Sequence, residues 1–279
     1  MKKILTTLLA GCLLLTLLSC KSNDNNIDDK TSEPFFVQEI KYMQIAEYEY
    51  ALSKNISKSS DFSVANVYKE CPVTRIKASA SINNTHVKSI SLGDNMIYVE
   101  DNAFKGCTNL TKIEMYSNVC FGEGVFDSCD KIETLEENNL LYLGAKEREE
   151  ELKNDHYYLF RTKSDSKNIV TSLKTVSIMD AFKNNNDIEN ITLNSGVKYI
   201  NSSAFKNSSL KSINIPSSVI YIGRNAFSGT SNLNITLESD ITGYFTLDGE
   251  SKEEITLTND NVVNYLTSTY QNYFFYKEA

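Results

Sequence analysis

Apolar and polar positions recur along the chain with one pattern. Residues 210–232 read LKSINIPSSVIYIGRNAFSGTSN, residues 188–209 IENITLNSGVKYINSSAFKNSS, residues 87–109 VKSISLGDNMIYVEDNAFKGCTN and residues 110–131 LTKIEMYSNVCFGEGVFDSCDK. The shared frame is L-x-x-I-x-I, then V-x-x-I, then A-F-x-x-C, and it returns every 22 or 23 residues. In Leu210-x-x-Ile213-x-Ile215 the last two apolar residues alternate with polar ones, the period-2 signature of a strand with one buried face. Val219 and Ile222 begin a second, shorter inward segment. Pro216 and the serines after it, or Asn194-Ser195-Gly196 one copy earlier, supply the turn between the two. Ala226-Phe227 closes the coil, the small residue allowing close approach and the ring filling the interior. Such a unit cannot bury its own apolar face, so the coils must stack.

Weaker copies extend the stack to residues 62–240. Phe62-Ser63-Val64, Val73 to Ile76 and Ala80-Ser81 fit the frame, with Ser81 where phenylalanine is expected. Val176, Ala181 and Phe182 form a compressed coil, and Leu233-x-Ile235-x-Leu237 starts another. Between 140 and 167 the frame is interrupted. There LLYLGAK and HYYLFRTK flank the charged stretch EREEELKND, which predicts a hairpin or short helix projecting from the stack. Residues 35–61 predict an N-terminal cap, since exposed solenoid ends need covering. Its form stays open: Ile40, Met43, Tyr50 and Ala51 lie near helical spacing, while Tyr48, Tyr50 and Leu52 alternate as in a strand. Residues 241–279 predict a C-terminal cap.

The N-terminus is read differently. Lys2 and Lys3 precede an apolar run from Ile4 to Leu18, too short for a spanning helix and suited to a secretory signal over residues 1–19. Leu17-Leu18-Ser19-Cys20 resembles the lipobox of bacterial lipoproteins, in which the cysteine thiol receives a diacylglycerol before cleavage on its N-terminal side. Leu18 is bulkier than that pattern usually has. Cys20 is the predicted lipidation site, and Cys12 is lost with the signal. Residues 20–34 are polar and acidic, and predict a flexible tether. Cleavage before Cys20 leaves 260 residues, and losing Lys2 and Lys3 moves the formal charge from −8 to −10. An acidic surface argues against nucleic acid and against electrostatic docking on anionic lipid. Membrane attachment is therefore expected through acyl chains alone, in the cell envelope, at the outer membrane and exposed on the surface.

The repeats resemble BspA-type leucine-rich repeats of bacterial surface proteins. Residues 210–232 are close to a consensus coil of that family, and NVYKECPVTRI at 66–76 resembles its opening segment. LYLGAK and YYLFRTK resemble an insertion between coils, and NDNVVNYLTSTYQNYFF at 259–275 is similar to a closing aromatic segment. The resemblance implies a mainly β, right-handed leucine-rich-repeat solenoid presented outside the cell. It is associated with adhesion to host matrix proteins or other microbes, and it implies no reaction and no catalytic residue.

Candidate chemistry changes this picture little. Cys107 and Cys129 share one repeat position, occupied by Ser208 and Thr230 in later coils, so the site is small and inward. Cysteines one coil apart could meet the Cα separation of a disulfide, and the sequence leaves pairing among Cys71, Cys107, Cys120 and Cys129 open; the preferred reading is packed free thiols, which behave as small hydrophobes. No cofactor and no metal are expected, because paired C-x-x-C spacing is missing. A nucleophile pair of Cys107 and His86 is weighed and set aside, since the repeat frame accounts for the cysteine. His156 has no evident partner, and the run Glu147 to Glu151 reads as a solvated face. The candidate binding face lies on the outward strand positions, with Ser89, Lys112, Asn190 and Ser212 in one column and Ser91, Glu114, Thr192 and Asn214 in the next. These columns suit a wide, shallow surface for a protein or other macromolecule more than a pocket. A repeat-bearing enzyme or enzyme regulator, and a structural envelope protein without external partner, remain the alternatives.

Overall fold

The computed structural model describes residues 40–116, 118–146, 152–163, 165–247 and 251–277. The expected signal, lipobox and tether, and the Glu147 to Glu151 run, lie outside these residues. Each coil carries a first and a second short strand, joined by a turn and closed by further tight turns. First strands form two parallel sheets: Asp61–Ser63, Ser89–Ser91 and Lys112–Glu114 in one, and Asn168–Val170, Asn190–Thr192, Ser212–Ile215 and Asn234–Leu237 in the other. Their register follows the sequence period, with Phe62 opposite Ile90, Ile90 opposite Ile113, and Ile191, Ile213 and Ile235 in one row. Second strands align in the same way, Val99 with Phe121 and Ile178 with Ile200 and Ile222.

In-register stacking sets identical residues on top of one another. Phe104 and Phe126 stack with centroids 5.8 Å apart and planes 9° from parallel. Phe182, Phe205 and Phe227 form a second column at 5.4 and 5.3 Å. Ala103, Ala204 and Ala226 before them are buried, where a larger side chain would separate the coils. The closing turns need left-handed backbone, at Asn83, Asn184 and Asn207, and at Gly106 and Gly229. At Gly106 a Cβ would strike the Asn83 side chain of the preceding coil, and Gly229 meets Asn207 in the same way. Glycine there satisfies both the positive φ and the close approach.

The strands that flank the insertion pack into the stack. Glu133 starts a new rung by donating its N–H to the Thr111 carbonyl (2.8 Å). The chain then leaves the stack, and Leu135–Glu137 pairs antiparallel with Leu140–Lys146, which pairs in turn with Leu152–Thr162. Leu143, Ala145, Tyr157, Tyr158 and Phe160 join the core of the preceding coils, whereas Leu140, Tyr142 and Leu159 join the core of the following ones. These flanking strands form a shared wall because both of their faces are apolar, and the charged run expected to project between them lies outside the described residues.

The wall also ends the single continuous stack that the repeat count suggests. Leu152–Thr162 pairs in parallel with Ser177–Ile178, so the second-strand sheet restarts there, while no ladder among the described residues joins Lys112–Glu114 to Asn168–Val170. The two blocks then meet through the outward side of their second strands. Phe121 N–H donates to Asn201 Oδ1 (2.8 Å), and the Tyr199 hydroxyl donates to Asn118 Oδ1 (2.9 Å). Cys120, Tyr199, Tyr221 and Tyr276 form one buried cluster with Tyr98 against it. The Cys120 rung faces the Tyr199 rung, and the Tyr98 rung before it lies against Tyr221 in the rung after Tyr199. One block therefore runs back along the other. At the border Lys206 Nζ pairs with Glu123 at 2.9 Å, and Lys183 with Glu123 and Asp127 at 3.4 and 3.5 Å. Gly124 N–H donates to Asp180 Oδ2 at 3.0 Å. Burial holds the Asp180 carboxyl above the ordinary aspartate range.

Both outer ends carry antiparallel pairs. Residues 40–55 are strands, Ile40–Ala46 against Glu49–Asn55, and the second lies parallel on Cys71–Ile76. At the other end Phe274–Tyr276 runs antiparallel to Tyr221–Ile222 and to Ile241–Thr246. Ile241–Thr246 and Lys252–Leu257 form a further antiparallel pair, and Phe245 stacks on Tyr270 at 4.4 Å.

Cys107, Cys120 and Cys129 are free and buried as expected. Cys71 is not among the free thiols. It begins a strand beside the N-terminal hairpin and does not share the repeat position of Cys107 and Cys129, so the expectation of a packed thiol fails there.

Two substitutions test the register and the doubling back. Ile213→Ala, at a side chain 2 % exposed, will cost about 2 to 5 kcal/mol in denaturant titration. Lys211→Ala on the outer face will change stability by roughly 0.5 kcal/mol or less. Tyr199→Ala will cost about 3 to 5 kcal/mol, the range for removing a buried ring. In one straight stack Tyr199 would face solvent and its loss would be nearly neutral, so a small effect rules out the packed blocks.

Candidate protein-binding surface

The outward first-strand positions divide between two sheets of different chemistry. In the three-stranded sheet Ser89 lies opposite Lys112 and Ser91 opposite Glu114. Ser89 Oγ donates to the Asp61 carboxylate, and Glu114 sits between Lys112 and Lys146, both at 3.3 Å. Those two ammonium groups hold the Glu114 carboxyl below its ordinary range, against the opposing cost of partial burial. This face is charged and three rungs tall.

The four-stranded sheet is larger and neutral along its centre. Asn168, Asn190, Ser212 and Asn234 align in one column, and Val170, Thr192, Asn214 and Thr236 in the next. Asn190 Nδ2 donates to Asn168 Oδ1 (2.8 Å), Ser212 Oγ to Asn190 Oδ1 (2.6 Å) and Thr236 Oγ1 to Asn214 Oδ1 (3.1 Å). Asn168, Asn190 and Ser212 are thus linked from rung to rung, as are Asn214 and Thr236. Along the border Lys167, Glu189 and Lys211 form a cross-coil row at 2.7 and 2.8 Å. Hydrogen bonds from the two ammonium groups pull the Glu189 carboxyl down to about 2. Glu189 keeps its charge through mildly acid conditions and is neutralised as pH falls through the depressed value, which leaves the two ammonium groups without their carboxylate. At the first rung Val170 is 63 % exposed and Leu173 in the following turn 90 % exposed, an uncovered apolar rim.

The eight candidate residues therefore do not form two long columns. Ser89, Ser91, Lys112 and Glu114 belong to one sheet, and Asn190, Thr192, Ser212 and Asn214 to the other, because the wall between the blocks breaks the first-strand ladder. Sequence reasoning missed Asn168, Val170, Asn234 and Thr236, which carry the second sheet outward at both ends. Their 22-residue spacing from the recognised positions was the available signal.

The other candidates stay apart. His86 is exposed in a turn, its backbone N–H on Asn84 Oδ1 (3.2 Å), while the buried Cys107 thiol points at the Ser81 carbonyl (3.2 Å). His156, without a partner in the sequence, contacts Glu137 at 3.2 Å and Asp155 at 2.7 Å and packs on Tyr142. Hydrogen bonds from His156 and Lys174 hold Asp155 down to about 2. Among the described residues no helix is long and apolar enough to cross a membrane, and no group of three or more His, Cys, Asp or Glu is placed to hold a metal ion.

No curated protein matches the sequence. Among solved structures, the chain is similar to a leucine rich cell surface protein from Faecalibacterium prausnitzii, at 21 % identity over 74 % of this chain and 54 % of that one, with a TM-score of 0.38. The chain thus spans about half of that protein's length. It is also similar to the leucine rich repeat protein of T. pallidum, at 17 % identity over 72 % of this chain and 79 % of that one, TM-score 0.38. A leucine-rich repeat protein from Bacteroides ovatus matches at 15 % identity over 74 % and 88 %, TM-score 0.27. The BspA type leucine rich repeat region matches in six copies, over residues 48–146 and 150–278. With most of its length covered by those copies, the chain belongs to the BspA-type leucine-rich-repeat family.

Proposed function

We propose that this chain is a lipid-anchored protein of the bacterial cell surface that binds other proteins across the four-stranded sheet of its C-terminal block. One observation carries the reading: this sheet presents four in-register rungs outward, with pre-ordered amide and hydroxyl side chains beside an exposed Val170 and Leu173. A polar field with an apolar rim suits a broad protein contact, where a few apolar anchors supply energy and the polar field supplies registry. The outward side of the second strands is occupied by the other block and is not free for a partner. A net charge of −8 disfavours nucleic acid. Attachment is assigned to Cys20, with the polar stretch after it as spacer, and the location to the outer membrane surface.

Binding to a panel of immobilised matrix proteins and bacterial surface proteins tests the face. Thr192→Glu combined with Asn214→Glu, two exposed positions on neighbouring rungs, will weaken binding by roughly tenfold or more, since carboxylates are buried against a neutral contact. Asn190→Ala or Asn214→Ala alone will change it by about threefold or less, because many contacts share the energy. Charge reversal at Lys112 and Glu114 on the other sheet will leave it unchanged, and the opposite ranking would move recognition to the N-terminal block.

Attachment is tested separately. Cys20→Ala will release the protein from membranes, with loss of metabolic acyl labelling and of detergent partitioning, while the thermal unfolding of residues 60–276 stays the same. A variant that still partitions with lipid would show that the anchor lies elsewhere.

A further inference from the structure

Two of the buried free cysteines are stacked. Cys107 and Cys129 stand three residues after Phe104 and Phe126 in successive coils. Phe104 N–H donates to the Val125 carbonyl (3.0 Å) and Gly106 N–H to the Asp127 carbonyl (2.8 Å), so the two turns are hydrogen-bonded one rung apart. The near-parallel rings of Phe104 and Phe126 show the same alignment in the side chains. Each thiol points at a carbonyl of the coil before it, Cys107 Sγ at Ser81 O and Cys129 Sγ at Phe104 O, both 3.2 Å. Both residues are fully buried. The neighbouring thiol favours the thiolate at Cys129 and disfavours it at Cys107. The Arg161 guanidinium lies nearby, its Nη2 on the Phe126 carbonyl (2.9 Å), and adds to the stabilisation of negative charge at Cys129.

Spacing decides what such a pair can hold. Side chains that point the same way one rung apart are separated by about 4.8 Å. A disulfide needs Cβ atoms within roughly 3.5 to 4.5 Å and an S–S bond of about 2 Å, so the coils would have to shift. A metal held linearly between two thiolates needs sulfurs two metal–sulfur bonds apart, and with about 2.3 Å per bond that separation nearly equals one rung. Two ligands are too few for zinc, which takes four, whereas soft thiolates select cuprous copper. We propose that Cys107 and Cys129 form a two-coordinate site for a cuprous ion, clasping two successive coils of the N-terminal block. Binding releases both thiol protons, so one Cu⁺ and two thiols give a bis-thiolate complex of charge −1 and two H⁺. The metal is neither oxidised nor reduced, and Arg161 faces the residual negative charge. Cys120 sits among Tyr199, Tyr221 and Tyr276 without a second sulfur in its cluster, and serves as the internal control.

The test is an anaerobic titration of the reduced full chain with cuprous ion against a chromophoric cuprous chelator. Cys107→Ser, Cys129→Ser, the double variant and Cys120→Ser are titrated alongside. Ser208 and Thr230 occupy the same repeat position in later coils, so serine is compatible with the coil, and circular dichroism confirms folding for each variant. The unsubstituted chain is expected to withdraw one more copper than the double variant and to gain a sulfur-to-copper charge-transfer band in the ultraviolet. Either single serine abolishes both signals, and Cys120→Ser keeps them. Copper uptake equal to that of the double variant would overturn the site. So would equally tight zinc binding, or a Cys107–Cys129 disulfide found by peptide mapping of copper-free protein after treatment with a small-molecule disulfide.

Discussion

Everything in this structure follows from a coil that cannot bury its own apolar face. A 22- or 23-residue turn exposes one side of its isoleucines, valines and phenylalanine until a neighbour covers it, so register between turns is a condition for having a core at all. That is why Ile90 stands over Ile113 and Ile191 over Ile213 and Ile235, and why the phenylalanines form columns. The same constraint leaves an uncovered face at each end of a run. The chain meets it with apolar strands of another kind: a hairpin on the first coil, an aromatic segment on the last, and between the blocks a hairpin apolar on both sides.

That middle hairpin sets the shape of the whole molecule. It gives Leu143, Tyr158 and Phe160 to one core and Leu140, Tyr142 and Leu159 to the other, so each block has its open end covered. It continues the parallel ladder on the second-strand side, through Tyr158 and Leu159 against Ser177 and Ile178, whereas among the described residues no ladder joins the two first-strand sheets. The turn in the stack lets the second strands of one block come against those of the other. Tyr98, Cys120, Tyr199 and Tyr221 then fill the contact, and lysine–carboxylate pairs close its border.

Much of this was legible in the sequence. The coil frame located the strands, the buried isoleucines and the phenylalanine columns, because a period of 22 or 23 with apolar spacing of two admits few other structures. The position of the interruption was legible too. Its packing was not, because alternation along LLYLGAK and HYYLFRTK says that both faces are apolar without saying what covers them. The doubling back had a signal that went unused. Apart from Val170, outward positions of the first strands are serine, asparagine, threonine and charged residues, as solvent requires, yet the matching positions of the second strands include Tyr98, Tyr199 and Tyr221 beside Arg75, Cys120 and Ser177. Large apolar residues recurring on a face that a straight solenoid would expose mark that face as covered. The split of the eight candidate residues between two sheets follows from the same feature.

The doubling back also bears on how the protein can recognise anything. With the second-strand face taken up internally, the repeated outward surface is reduced to two first-strand sheets of unequal size and charge. On the larger one the side chains are already ordered, Asn168 to Asn190 to Ser212 in one column and Asn214 to Thr236 in the other, each held by the rung beside it. A free surface asparagine or threonine loses rotamer freedom when a partner fixes it, at roughly 0.5 to 1.5 kcal/mol for a rotamer-rich side chain. Side chains held in a ladder have given up part of that freedom on folding, so a partner meets a face whose geometry is fixed in advance by the stacking of the core beneath it. Recognition and stability then share one cause: the register that buries the isoleucines inward also sets the spacing of the amides and hydroxyls outward.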